Sequence, residues 1–271
     1  MDALLRLIEP ADLPHMMALV EAAGWNQTRR DLERFLELAP DTAFAIECDG
    51  KLVATAGAVC YERRLAWIGM VLTLPQYRGR GFARRLMERC LESLRALGIE
   101  WAKLDATDMG EPLYASLGFE TECTIERWFR PPGAKPALWM PETAGEPRDA
   151  GAFGADRSRL LAALVPEGWT PLPGGYAMAR LGRVAAFFGP MVAPDAATAE
   201  QGLAWCLARF GDGPLYWDLL PGNAAAPALA REHGFEPRRT LARMALCLKS
   251  GSEPIPCDAN RLFAAAGFEY G

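Results

Sequence analysis

Val71-Leu72-Thr73-Leu74-Pro75-Gln76-Tyr77-Arg78-Gly79-Arg80-Gly81-Phe82-Ala83-Arg84 is the most informative stretch of the chain. An apolar strand ends at Thr73, a turn containing Pro and Gly follows, and apolar positions then recur at helical spacing over 81–97, where Gly98 stops the helix. Glycines at a helix start leave backbone N–H groups uncovered, and those groups attract anionic oxygens. Arg78, Arg80, Arg84 and Arg85 add local positive charge to a chain of formal net charge -5. For a polyanion the local field decides, not the net charge. The competing reading is a solvated basic helix start, because glycine turns are common punctuation. No Gly-Lys-Ser/Thr follows, so this is not a Walker loop. The flanking strands also lack the βαβ rhythm of a dinucleotide fold.

Outward from the turn, the pattern predicts strands over 4–8, 42–47, 52–61, 65–73, 101–106 and 119–130. Asp49-Gly50 joins two of them as a hairpin. A helix opens at Pro10-Ala11-Asp12 and stops at Gly24; a second starts at Thr28 with Asp31 as its capping-box partner. A short helix over 111–117 ends at Gly118. Beyond a Pro- and Gly-rich stretch, 131–151, part of the order recurs: helix 157–164, strands 176–180 and 183–191, helix 195–210, strand 215–220, helix 223–233 and strand 235–248. Leu113-Tyr114-Ala115-Ser116-Leu117-Gly118-Phe119-Glu120 aligns with Leu229-Ala230-Arg231-Glu232-His233-Gly234-Phe235-Glu236. Two copies of one α+β unit follow from this register, over 1–140 and 148–271.

With these landmarks in place, the chain resembles the GNAT superfamily of N-acetyltransferases. Arg78-Gly79-Arg80-Gly81-Phe82-Ala83 resembles its acetyl-CoA motif, and Leu113-Tyr114 through Leu117-Gly118-Phe119 its second hallmark. Gly24-Trp25-Asn26, Leu104-Asp105-Ala106-Thr107 and Gly189-Pro190 are similar to landmarks of bacterial tandem-GNAT proteins. The resemblance implies a mixed α/β fold of two GNAT-like domains, each a central, mostly antiparallel sheet flanked by helices, with acetyl-CoA as co-substrate and no metal. It implies that Val71, Leu72 and Thr73 hydrogen-bond the pantetheine arm from a splayed strand, and that Arg78, Gly79, Arg80, Gly81, Phe82, Ala83 and Arg84 wrap the pyrophosphate. Thr107 falls where many relatives carry a cofactor-contacting Asn. Tyr114 matches the tyrosine that donates to the departing sulfur; a packed helix tyrosine is the alternative. For the base, Ala102 stands where some relatives have a carboxylate. Asp105 is the preferred candidate, against a loop-bracing role for the same residue or a base acting through ordered water. Trp25 and Asn26, with Gln27, lie where the family contacts its acceptor; a core tryptophan with a loop amide is the other reading.

The second copy lacks the same equipment. Its counterpart of the Arg-Gly loop is Pro194-Asp195-Ala196-Ala197-Thr198-Ala199-Glu200-Gln201, and Tyr114 is matched by Ala230. The expectation is therefore one active centre, in the first half, with the second half adding acceptor-binding or stabilising surface. The acceptor is expected to be an amine, a small molecule rather than a protein; a non-catalytic acyl-CoA-binding or sensor protein is the alternative function.

Composition narrows the classes. A chain of 271 residues, 51% hydrophobic and 23% charged, is long enough for two cores, and an acidic balance argues against nucleic acid as partner. Seven scattered cysteines without a C-x-x-C pair suggest reduced thiols, and two histidines offer no metal-ligand spacing. No apolar run suits a membrane span and no signal segment is apparent, so a soluble cytoplasmic protein is expected.

Overall fold

The computed structural model describes residues 3–136 and 145–271. The expected end of the first unit, at residue 140, lies outside the described residues. In chain order the first half runs β1 (Ala3–Leu7), α1 (Leu13–Ala22), α2 (Arg29–Leu38), β2 (Ala43–Cys48), β3 (Lys51–Tyr61), β4 (Leu65–Thr73), α3 (Phe82–Ala96), β5 (Trp101–Ala106), α4 (Glu111–Ser116) and β6 (Glu120–Arg130). The second runs α5 (Ala150–Phe153), α6 (Ser158–Leu164), β7 (Trp169–Leu172), β8 (Gly175–Arg180), β9 (Ala186–Val192), α7 (Ala196–Phe210), β10 (Leu215–Leu219), α8 (Ala225–Glu232), β11 (Glu236–Cys247) and β12 (Leu262–Ala264).

Local signals decide many of these boundaries. Thr28 Oγ1 accepts from the Asp31 N–H (3.2 Å) while Asp31 accepts from the Thr28 N–H (2.7 Å), which starts α2. Asp49 and Gly50 both have positive φ, 51° and 75°, as the two-residue turn between β2 and β3 requires. Other expectations shift: α5 and β7 had no expected counterpart. The strand predicted over 183–191 begins only at Ala186, because the Asn26 side chain captures the preceding loop. The region after 248 had no expected element, yet it contains β12.

All twelve strands join in one sheet, mixed but mostly antiparallel, with the path β1-β2-β3-β4-β5-β11-β6-β10-β9-β8-β7 and β12 paired to β9. β6 of the first half and β11 of the second have crossed. β11 of the second half pairs with β5 of the first, from Ala242 opposite Ala106 to Cys247 opposite Trp101. β6 of the first half pairs with β10, from Leu215 opposite Arg130 to Leu219 opposite Glu126. One apolar core is shared as well: Leu13, Phe35, Tyr61 and Trp67 pack in the same cluster as Leu160, Tyr176 and Tyr270.

Ion pairs fasten the crossing. Arg127 on β6 meets Asp218 on β10 through two bonds, of 2.7 and 2.6 Å, with Asp218 fully buried. Removing one partner of such a pair strands a buried charge, at a cost of about 3–5 kcal/mol. Asp218→Ala is therefore expected to lower unfolding free energy by that amount in a denaturant titration. A loss below about 1 kcal/mol would show that water reaches Arg127 and that the pair is not holding the strands.

Candidate active site

β4 and β5 run parallel for three residue pairs only, Leu65 with Trp101, Ala66 with Ala102 and Trp67 with Lys103. β4 then continues to Thr73 and β5 to Ala106 without pairing, so the strands part and open a V in the sheet. A bulge sharpens the divergence. Gly69 faces Gly57 and Leu72 faces Thr55, leaving two residues of β4 opposite one of β3, with Met70 at a φ of 54°. The bulge rotates the backbone of Val71 and Leu72 relative to an ordinary ladder.

Beyond the V lies a groove of about 720 Å³, lined by Val71, Leu72, Thr73, Arg78, Gly79, Gly81, Phe82, Ala83, Arg84, Thr107 and Tyr114, among others. Every residue expected at the cofactor is there except Arg80, whose guanidinium lies 5.1 Å from the Tyr77 ring. The Phe82 side chain is buried, so only its backbone can serve a ligand. Gly81 precedes α3 in the left-handed region, φ 76°, and among the described residues no side chain caps that helix. Its first-turn N–H groups thus remain open to an anion. Thr73 Oγ1 is buried without a hydrogen-bond partner among the described residues. A phosphate-bearing, amide-containing arm such as that of acetyl-CoA fits these vacancies in polar chemistry: oxygens for the helix terminus, an amide for the orphaned hydroxyl.

The inner end of the V is a second, smaller cleft of about 80 Å³. It meets the groove at Trp25, Val71, Thr107, Tyr114, Arg239 and Leu241, and its other walls include Gln27, Asp105, Arg127, Phe268 and Glu269. Tyr114 lies at the junction, held on α4 beside the Phe119 ring at 6.3 Å. Burial pushes its phenol up to about 12.

Two expected residues have other work. Asn26, expected to meet the acceptor, is buried and spent on the second half: its amide donates to the Ala185 carbonyl (2.9 Å), and its carbonyl accepts from the Val184 and Ala185 N–H groups (2.9 and 3.0 Å). Asp105, the preferred base, accepts from Arg243 Nε and Nη2 at 2.8 and 2.9 Å. Both oxygens are engaged with β11; burial pushes the Asp105 carboxyl above its ordinary value against the pull of Arg243, while Asp105 holds the Arg243 guanidinium above its own. The geometry makes Asp105 a tie between strands.

The sequence reading missed Glu269 and Arg239. Glu269 lies against β4 because Gly69 has no side chain: a Cβ there would sit 2.8 Å from the Glu269 Cα. Its carboxylate is 4% exposed, accepts from Gln27 Nε2 (3.0 Å) and lies 3.6 Å from Arg180 Nη2. Burial pushes this carboxyl above its ordinary value, against the pull of Arg180. No local signal marked it; residues 249–271 lack a clear period.

The second half opens the same V and fills it. β9 and β10 pair in parallel for three residues, Ala186 with Leu215 through Phe188 with Trp217. β12 then enters, with Leu262 opposite Val192, while the Ala265 N–H donates to the Asp218 carbonyl (2.8 Å) and Trp217 Nε1 to the Phe263 carbonyl (2.8 Å). The N-terminus of α7 is occupied too, because Asp195 accepts from the Thr198 N–H at 2.8 Å. Both vacancies of the first half are satisfied here by the chain itself.

Among the described residues no three His, Cys, Asp or Glu side chains cluster to hold a metal, and no helix is long and apolar enough to cross a membrane. The model of the acetyltransferase (GNAT) family matches residues 10–119, and that of an acetyltransferase (GNAT) domain matches 148–264. The uncharacterized N-acetyltransferase YitH of Bacillus subtilis is 24% identical over 253 residues, covering 86% of this chain and 88% of that protein. An acetyltransferase of Yersinia pestis is 28% identical over 130 residues, 45% of this chain and 90% of its own. Among solved structures, a putative acetyltransferase from Pyrococcus horikoshii superposes with a TM-score of 0.84 at 22% identity, covering 99% of this chain and 96% of that one. A GCN5-related N-acetyltransferase from Sphaerobacter thermophilus gives 0.65 at 18% identity, over 93% and 98%.

Proposed function

The chain belongs to the GNAT acetyltransferase family and is an acyltransferase, and from that premise we propose that it moves an acetyl group from acetyl-CoA to an amine, at a single centre in the first half. One contrast carries this reading: among the described residues the first V and its helix terminus lack partners, whereas the second V is filled by β12 and its helix is capped by Asp195. We extend the same proposal to the division of the chain, with catalysis assigned to the unit before the 131–151 stretch and support to the unit after it.

The donor supplies an activated acyl carbon; the rest falls to the chain. The first-turn N–H groups of α3, with Arg78 and Arg84, hold the pyrophosphate. Backbone groups of Val71, Leu72 and Thr73 orient the arm and polarise the acyl oxygen as charge develops on it. In transfer an N–C bond forms, the C–S bond breaks, the amine gives up a proton and the sulfur gains one. An ordinary alkyl amine of pKa near 10.4 is about one part in two thousand neutral at pH 7, a handicap of roughly 4.6 kcal/mol. We assign its relief to Glu269 rather than to Asp105, the other carboxylate of the inner cleft that burial pushes up, because both Asp105 oxygens are held by Arg243.

Tyr114 serves the sulfur. A phenol raised to about 12 stays protonated throughout neutral pH. Full transfer to a thiolate of ordinary pKa, about 8.5, is uphill by roughly 5 kcal/mol. The role is therefore a hydrogen bond strengthened in the transition state, completed by solvent. Tyr114→Phe is expected to keep acetyl-CoA affinity within a few-fold and to lower kcat by about 100-fold. Undiminished turnover of an acceptor that the parent chain acetylates would reduce Tyr114 to packing. The reading as a whole is tested by calorimetry and thiol release with the intact chain: one acetyl-CoA site and turnover with amines support it. Binding without turnover of any amine favours the sensor alternative.

A further inference from the structure

Most charges around the inner cleft are paired inside the protein. Asp105 is matched by Arg243, Arg127 by Asp218, and Glu269 faces Arg180. Arg239 is not. Among the described residues it has no ion pair and no hydrogen bond; its guanidinium rests 5.0 Å from the centre of the Phe268 ring, which Arg127 also approaches at 4.3 Å. Arg239 stands opposite Arg127 in the β11–β6 register, so two like charges lie side by side on paired strands. Burial, and then Arg127, pull its pKa below the ordinary guanidinium value. Such a group gains from an anion.

The opposite wall has the reverse need. Gln27 donates its amide N–H to Glu269, and its carbonyl oxygen Oε1 is buried with no donor. A buried acceptor left unmade carries its desolvation penalty until a donor arrives. Gln27, Glu269 and Arg239 all line the same cleft of about 80 Å³.

We infer that the acceptor is a small amine that also bears a carboxylate, of the amino-acid class, with its amino group at Gln27 Oε1 and Glu269 and its carboxylate at Arg239. The inference rests on the acetyl-CoA reading above and specifies its acceptor. The acetyl carbon bonds to the amino nitrogen, the C–S bond breaks, the amino proton leaves toward Glu269, and the sulfur departs as the thiol after protonation. The product is an N-acetyl amino acid. A polyamine would instead bring a second positive charge to Arg239, which Coulomb repulsion opposes. The recognising arginine comes from the second half, through the crossed strand β11.

The test uses the intact chain, acetyl-CoA and thiol release with matched probes: L-alanine, L-glutamate and L-methionine, their amides, and spermidine. Free amino acids are expected to exceed their amides in kcat/KM by about 10- to 100-fold, the discrimination of a charge-assisted hydrogen bond. Arg239→Gln should erase that preference through KM while changing the acetyl-CoA Kd less than two-fold, and Arg239→Lys should restore part of it. Amides or spermidine turned over as well as the free acids would overturn the inference and leave the transferase reading standing. So would an Arg239→Gln chain that loses acetyl-CoA affinity instead of acceptor affinity. No acetyl-CoA binding, or no thiol release with any probe, overturns both.

Discussion

A chain carrying Gly81→Glu is expected to lose acetyl-CoA affinity by at least about 100-fold while remaining folded. Gly81 sits at φ 76° immediately before α3, and a Cβ there would meet no atom within 4 Å. The substitution thus brings only the left-handed penalty of an L residue, about 1–2 kcal/mol. A carboxylate at a helix N-terminus returns part of that through the dipole. Against a bound pyrophosphate the same carboxylate is repulsive, near 4 kcal/mol per charge pair at 4 Å and an effective dielectric of 20. Solvent exposure at Gly81 reduces this, which leaves roughly two decades of affinity. Gly81→Ala separates the terms, because it keeps the backbone penalty without the charge and should lose only a few-fold. Calorimetry with an unchanged Kd for Gly81→Glu, or two equivalent sites in the parent, would refute the assignment of this loop.

Residues 1–145 expressed alone are expected to be insoluble or to melt without cooperativity. The sequence left two outcomes open, a soluble half with impaired acceptor binding or a half that cannot stand alone. The shared core favours the second. Trp67 is 1% exposed and Phe35 1%, and both pack in a cluster completed by residues after 150. Without that half, an apolar patch large enough to drive association faces water. The buried Arg34 loses Glu167, and Asp31 loses Arg180, leaving fewer partners for charges already out of solvent. β5 also loses β11, and β6 would have to shift one place to cover the bare edge. Circular dichroism, dye binding and thermal melting check this. A cooperative transition within about 5 °C of the intact chain, with unchanged acetyl-CoA affinity, would show that the halves are independent.

The candidate site was legible where its residues are neighbours in sequence. The turn over 71–84 carries its own strand end, glycines and helix start, and Leu113 to Phe119 carries its own helix stop. Two expected residues are engaged with partners far away in sequence. Asn26 is committed to Ala185, 159 positions on, and Asp105 to Arg243, 138 positions on. A polar side chain's availability depends on what else it can bond, and nothing next to Asn26 or Asp105 announced those partners. Arg239 and Glu269 were missed for the same reason in reverse: each borders the cleft only because of a pairing made elsewhere.

By itself the sequence determined the local elements, the anion-ready start of α3, the duplication, and the loss of the arginine loop and tyrosine in the second copy. Helix period, capping boxes and hairpin turns act over two to four residues, so their signals are written in consecutive positions. Tertiary structure alone decided that β6 and β11 exchange sides, that β12 closes the second V, and that Phe268 and Glu269 wall the first. β6 and β11 share nearly one burial pattern, five exposed residues and then a mostly buried end, so they satisfy nearly the same edges. The choice between them is made by distant contacts, among them Arg127 with Asp218, Arg243 with Asp105, and the core shared by Trp67 and Tyr270.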